Sequence, residues 1–270
     1  MEPEVFERFR RIIYDKSGIV LSEEKRSLLA SRIQKRLRAK QLDSEAQYLE
    51  IVESDLSGEE LVGLIDAIST NTTYFWREPA HFEALGEILA EYKAMGKSKL
   101  RIWCAASSTG QEPYILAMEV LEHFSGAKVD ARILATDVST KVLKIAQQGL
   151  YSDEEVSKLP ADKLKRFFMH PSDPQAQAKH QWQVSPELQQ LVLFKQLNLV
   201  VHPYPLKGPI DIIFCRNVLI YFDIPTRQGV IDECYRLLPT GGYMFLSLSE
   251  SLLGIEHRFE KVSTSVYQKV

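Results

Sequence analysis

The sequence predicts an α/β protein, in which an open, mainly parallel sheet is wrapped by helices and preceded by a purely helical region. Three observations carry this. From Leu100 onward, apolar strand-like runs alternate with helical periodicity, as βα units do. One run, Ile210-Asp211-Ile212-Ile213-Phe214-Cys215, is almost continuously apolar, as a strand buried on both faces requires. Before Leu100, apolar residues recur at three-to-four spacing with no strand pattern.

In chain order, Glu4 to about Ala90 reads as several short helices, a small bundle. Phe6, Phe9, Ile12 and Ile13 mark the first; Leu28, Leu29, Ile33 and Leu37 the second; Leu61, Leu64, Ile65 and Ile68 a later one. Ser22 followed by Glu23 and Glu24 reads as a capped helix start with acids in the first turn. The second helix carries Lys25, Arg26, Arg32, Lys35, Arg36, Arg38 and Lys40, several of them away from its apolar stripe. This basic face is either simply solvated or a docking surface for an acidic partner. No aromatics interleave it, which counts against nucleic acid.

Next comes a junction, Ser69 to Pro79, dense in hydrogen-bonding side chains and then aromatics. Asn71 and Thr73 act there as turn or cap residues, or as members of a segment covering a ligand.

Leu100 to Met118 reads as a strand, a small-residue turn from Ala105 to Gly110, and a helix start with Pro113 in its first turn. In an open parallel sheet such a turn lies at the carboxyl edge, where ligands bind. Neither Gly-x-x-x-x-Gly-Lys-Ser/Thr nor Gly-x-Gly-x-x-Gly is present. Glu112 instead places a carboxylate beside the turn, which repels a pyrophosphate and suits an ammonium or sulfonium, favouring a cationic nucleoside such as S-adenosylmethionine. The second strand, Arg132 to Thr136, ends at Asp137, the position from which nucleoside-binding sheets hold ribose hydroxyls, the alternative being that Asp137 is only a cap; Ser139 can cap the helix after it.

Pro160 to Leu193 interrupts the alternation and reads as a short helix plus a small antiparallel insertion. Arg216-Asn217 then follows the central strand at its carboxyl end and points to the site. Tyr243–Leu248 and Ser263–Lys269 suit an antiparallel hairpin edge.

Composition sets the bounds. With 270 residues and 45% hydrophobic content the chain can bury a sizeable core, and a net charge of −3 argues against bulk-charge binding of nucleic acid. No apolar run approaches the ~20 residues of a membrane span, and Met1-Glu2-Pro3-Glu4 lacks a basic-then-apolar signal, so the expectation is a cytoplasmic protein without membrane insertion. Cys104, Cys215 and Cys234 have no metal or redox spacing and read as buried thiols; His257 and Glu260 alone do not make a metal site, so no metal is expected.

Several segments together resemble the CheR family of chemotaxis-receptor glutamate methyltransferases. They are Thr70 to Glu78, Arg101 to Tyr114, Ala135-Thr136-Asp137, Asn198-Leu199 and Phe214 to Phe222, in the family's order and over most of the chain. The resemblance implies a Rossmann-like, S-adenosylmethionine-dependent methyltransferase fold with a seven-stranded mixed sheet, an N-terminal all-α domain (1–85), and a methyltransferase domain (86–270) bearing a small β insertion at about 165–195. It implies methylation of glutamates on chemoreceptor cytoplasmic helices, giving methyl esters and S-adenosylhomocysteine. Carried over by position, Asn71, Thr73, Arg77, Glu112, Asp137, Asn198, Leu199, Arg216 and Asn217 would hold the cofactor. The basic helix, with Lys25, Arg26, Arg32, Lys35 and Arg36, would dock the receptor. Tyr221 and Arg77 would orient the incoming carboxylate or the methionine moiety, Tyr221 being equally well an aromatic wall. A monomer is the default expectation.

Two departures matter. Gln111 stands where the family commonly has Glu, leaving Glu112 as the carboxylate. Family members that dock a receptor C-terminal pentapeptide have a Gly-rich loop in the insertion, whereas Pro171 to Lys179 contains no glycine; action independent of the pentapeptide is therefore expected. Among rivals, an NAD-type oxidoreductase lacks its glycine turn and a nucleic-acid methyltransferase lacks an Asn/Asp-Pro-Pro-Tyr/Phe motif. A non-catalytic module that senses S-adenosylmethionine or docks receptors stays open.

Overall fold

A computed structural model describes residues 1–69, 71–172 and 181–270. Thr70 and most of the glycine-free loop, from Asp173 through Lys179, lie outside the described residues.

Four helices build the N-terminal region: α1 (Pro3–Ser17), α2 (Arg26–Lys40), α3 (Glu45–Ser54) and α4 (Glu59–Ile68). Their stripes meet in one core of Phe6, Phe9, Ile13, Leu29, Ile33 and Leu64, among others. Burying such stripes stabilises short helices that are marginal alone. Two details differ from expectation. Ser22 makes no side-chain cap; Glu23–Lys25 form a 3-10 turn and α2 begins after it. Leu28, expected in the stripe, is 45% exposed, because α2 turns it toward the cleft described below.

Helix α5 (Ala80–Ala94) belongs by packing to the sheet, since its Phe82, Leu85 and Leu89 join the core beneath the strands. The sheet is seven-stranded: β1 (Lys99–Cys104), β2 (Asp130–Asp137), β6 (Val192–Gln196), β7 (Ile212–Phe214), β8 (Tyr243–Phe245), β9 (Phe259–Ser263) and β10 (Val266–Lys269). Its order is β6-β2-β1-β7-β8-β10-β9, with β10 antiparallel to both its neighbours and the other pairings parallel. The order reverses at β1, so the crevice for a ligand opens at the carboxyl ends of β1, β2 and β7. Helices α6 (Gln111–His123) and α7 (Thr140–Gln148) follow β1 and β2, and Ser139 caps α7 by accepting from the Val142 N–H. Beside this sheet stands a small antiparallel one, order β3-β5-β4, made of β3 (Leu150–Ser152), β4 (Phe168–Met169) and β5 (Gln181–Val184). It recruits β3 from before the expected insertion, while Leu193 and Phe194, expected within it, lie in β6 of the main sheet. The edge also holds one strand more than the expected hairpin, β9, whose charged face gives no apolar alternation to read.

The all-α region is fastened to the sheet near the crevice. The Asn198 amide donates to the Lys16 carbonyl (2.6 Å), Val20 N–H to the Tyr221 carbonyl (2.9 Å), and Tyr14 hydroxyl to Asp223 (2.7 Å). Gly18 ends α1 at φ +67°, where a Cβ would meet Val200 at 2.3 Å, so only glycine permits both the turn and the approach. No helix among the described residues is long and apolar enough to cross a membrane.

Candidate functional site

One cleft runs between the all-α region and the carboxyl edge of the sheet, and every residue expected at the cofactor lines it: Asn71, Thr73, Arg77, Glu112, Asp137, Asn198, Leu199, Arg216 and Asn217. Tyr221 lines it too, and so does Lys25, the only one of the expected docking residues to do so.

Arg216 is the electrostatic centre. Its side chain is 1% exposed and lies between two carboxylates, Glu112 at 2.5 Å and Glu78 at 3.1 Å, while also donating to the Arg77 carbonyl at 2.7 Å. Burial works against its charge, but Glu112 and Glu78 hold its pKa above the ordinary value. Glu78 is likewise held ionised: burial opposes the charge and Arg216 more than offsets that. His81 packs beside them, 2% exposed, its Nδ1 3.3 Å from the Glu78 carboxylate and its Nε2 without a hydrogen-bond partner among the described residues; burial, then the Arg216 charge, pushes its pKa down to about 4. With His81 neutral, one guanidinium against two carboxylates leaves one negative charge in excess. Arg216 Nε is buried without a partner. An acidic, incompletely satisfied cluster of this kind favours a cationic group from a ligand. Glu112 is thus not the free carboxylate that the sequence suggested, since its second oxygen accepts from the Cys104 thiol (3.2 Å).

Asp137 closes β2, 8% exposed. One oxygen accepts the Ser108 N–H and the other the Ser139 N–H, each at 2.9 Å. Burial raises its pKa against those bonds. Each carboxylate oxygen keeps a lone pair, which is what a pair of ribose hydroxyls needs. Leu197, Leu199, Val138 and Phe222 supply apolar wall for a base. The residues present therefore fit an adenosyl sulfonium: an acid for the ribose, apolar walls, and a local excess of negative charge around Arg216.

Strain gathers here. Of the non-glycine residues with positive φ, Trp76 (66°), Glu78 (59°), Ser108 (47°) and Asn217 (58°) all stand at or beside the cleft. Glu250, not foreseen from the sequence, fixes the last: its buried carboxylate accepts the N–H groups of Asn217, Leu219, Ile220 and Ser247. Glu78 and His81 were not foreseen either; Glu78 ends the Thr70–Glu78 segment, but a partner more than a hundred residues away leaves no local sign. Gln111 accepts from the Thr109 hydroxyl (2.8 Å) and does not line the cleft, so its departure from the family pattern leaves the site intact. Asn198 is bound to backbone at both ends of its amide, through Lys16 and Val200.

Comparison with known proteins gives the family. Residues 4–69 match the family model "CheR methyltransferase, all-alpha domain" and residues 71–268 match "CheR methyltransferase, SAM binding domain". The chain belongs to the CheR methyltransferase family. It is 36% identical over 262 residues to the chemotaxis protein methyltransferase of Escherichia coli, covering 97% of this chain and 89% of that one. It is 38% identical over 264 residues to chemotaxis protein methyltransferase 2 of Pseudomonas aeruginosa, covering 98% and 92%. As a CheR-family chain it uses S-adenosylmethionine as cofactor, and it is a chemotaxis methyltransferase.

The CheR basic helix is less free than its sequence suggested. Arg36 pairs with Glu60, and Arg32 donates to the carbonyls of Ile68 (2.8 Å) and Ser69 (2.9 Å), capping α4. Arg26 pairs with Glu23 at 3.3 Å, and Lys25 and Lys35 are exposed.

Proposed function

We propose that this protein methylates glutamate side chains on chemoreceptor cytoplasmic helices, giving glutamyl methyl esters and S-adenosylhomocysteine, in the cytoplasm and as a monomer. We take the all-α part of residues 1–85 as the docking domain, 86–270 together with the start of α5 as the methyltransferase domain, and the action as independent of a receptor C-terminal pentapeptide. The observation that carries this reading is the shared cleft: cofactor candidates, Tyr221, Leu28 of α2 and Lys25 of the turn leading into α2 border one space. A substrate docked on α2 thereby meets the reacting edge.

When bound, the cofactor supplies a methyl group on a positively charged sulfur. A glutamate carboxylate is already ionised near pH 7, so the chain need supply no general base. Asp137 accepts ribose hydroxyls, and the Glu78–Arg216–Glu112 cluster offers its excess negative charge to the ligand's cationic end. Tyr221 and Arg77 orient the incoming carboxylate or the methionine moiety by hydrogen bonds, with Arg77 braced by its bond to the Thr72 carbonyl (3.0 Å). The walls exclude water and hold attack geometry, which is where the acceleration arises, because reactant charges cancel and strong stabilisation of either ion alone would slow the step.

The test is transfer of labelled methyl to purified chemoreceptor cytoplasmic fragments with and without their C-terminal tails, read as base-labile ester. Label on both is expected. Label only with the tail removes pentapeptide independence; cofactor binding with no label on either favours a sensing module.

A further inference from the structure

The opposite, amino-terminal edge of the sheet holds a second cleft, of about 240 Å³. Lys99, Arg101, Arg132 and Lys207 line it. Its apolar surface comes from Leu134, Leu206 and Pro209. Among the described ion pairs only Arg101 of these cations meets a carboxylate, Asp130 at 2.5 Å. The adjacent Lys97 is balanced by Asp211 at 2.8 Å. Four cations against one acid leave three positive charges in excess, on a chain whose net charge is −3. The β1–β2 register also sets Arg101 opposite Arg132, and the two share Asp130, whose pKa is lowered by its hydrogen bond to Arg101 and by the Arg132 charge.

The donors are held ready. The Arg101 guanidinium donates to the carbonyls of Leu100 (3.0 Å) and Asp130 (2.6 Å), and that of Arg132 to Gln190 (3.3 Å). The facing wall is pinned as well: Ile210 N–H donates to the Leu237 carbonyl (3.0 Å), and a Cβ on Gly208 would come within 2.6 Å of that same oxygen. Two guanidinium groups held by backbone carbonyls, with the exposed Lys99 and Lys207 ammonium groups and an apolar surface beside them, match a phosphoryl group attached to a flat or aliphatic body.

We propose that this cleft is a second ligand site, taking a small organic phosphate whose phosphoryl oxygens meet Arg101, Arg132, Lys99 and Lys207 and whose body lies on Leu134, Leu206 and Pro209. It is separate from the cofactor cleft, which opens at the other ends of the same strands.

Titration calorimetry on the full chain tests this at low salt, with S-adenosylhomocysteine saturating the cofactor cleft so that adenosine compounds report only the second site. Pyrophosphate, ADP and adenosine are the probes. ADP should bind, pyrophosphate more weakly, and adenosine not at all. Arg132→Gln and Lys207→Gln should each weaken ADP on the order of tenfold, the scale of one charged hydrogen bond, with S-adenosylhomocysteine affinity and melting temperature unchanged. Equal affinity for ADP and pyrophosphate overturns the organic body and assigns the site to an inorganic anion. Absence of phosphate binding, or ADP binding indifferent to both substitutions, overturns the site. Binding of poly-glutamate without any phosphate overturns it in favour of protein docking.

Discussion

Two of the buried charge clusters among the described residues have opposite composition. In the cofactor cleft one guanidinium, Arg216, serves two carboxylates, Glu78 and Glu112. In the all-α region a single carboxylate, Glu60, 4% exposed, serves two cations, Arg36 and Lys40 (2.7 Å), and accepts from the Tyr48 hydroxyl (2.9 Å). The first has one negative charge too many and the second one positive. The first excess is opposite in sign to an S-adenosylmethionine sulfonium. The clusters differ in satisfaction too. Glu60 is surrounded by donors, whereas the cleft leaves Arg216 Nε and His81 Nε2 without a hydrogen-bond partner among the described residues. A fully paired cluster serves the fold, and an incompletely paired one in a strained setting serves a ligand.

Removing each hub should separate the two. Arg216→Leu leaves two carboxylates buried without a cation and should cost about 3–5 kcal/mol of stability, with cofactor affinity falling on the order of a hundredfold. Glu60→Leu strands the Tyr48 hydroxyl and two cations that can still reach water, so about 1–3 kcal/mol is expected, with cofactor affinity unchanged. Chemical denaturation and calorimetry read both. Equal loss of cofactor affinity in the two variants would break the comparison.

Asp137→Asn comes next. An amide turns an NH₂ toward one of the N–H groups of Ser108 and Ser139 and loses the ionised acceptor, so cofactor affinity should fall about tenfold, measured as Kd for S-adenosylhomocysteine.

His81 sharpens the cleft side through pH. The unfolded imidazole takes its proton near pH 6.5 and the buried one only at about 4, so between those values the unfolded state binds more protons. Stability that is fully present above pH 6.5 is lost as pH falls toward 4, by about 2–3 kcal/mol from this group. His81→Phe should flatten that stretch of the stability profile, and an unchanged slope would show that His81 is not buried neutral.

Much of this was legible in the sequence, and unevenly. The strand-turn-helix at Leu100 to Met118, Asp137 and Arg216-Asn217 were readable because the sheet dictates where its loops go, and those positions are fixed by chain order. Glu250, Glu78 and His81 were not, because their partners are brought near only by folding: Glu250 binds backbone some thirty residues away and Glu78 meets Arg216 across the sheet. The basic helix misled for the same reason. Seven cations in one stretch look like one face, but Arg32 and Arg36 turn inward to α4, and only a tertiary contact reveals it.

That division of α2 yields the smallest expected effect. Lys35 is exposed and Arg36 is committed to Glu60. Lys35→Glu should leave melting temperature and cofactor affinity unchanged, as solvated charges rarely matter to folding by more than about 0.5 kcal/mol. It should raise KM for a receptor fragment about two- to fivefold at low salt, and the difference should shrink as salt screens it. Arg36→Glu should do the opposite, destabilising the bundle by placing a second carboxylate against Glu60. If Lys35→Glu leaves KM untouched at low salt while Arg36→Gln raises it with the fold intact, the cation paired with Glu60 is the one that meets the partner, and the separation of fold-serving from partner-serving charge on α2 fails.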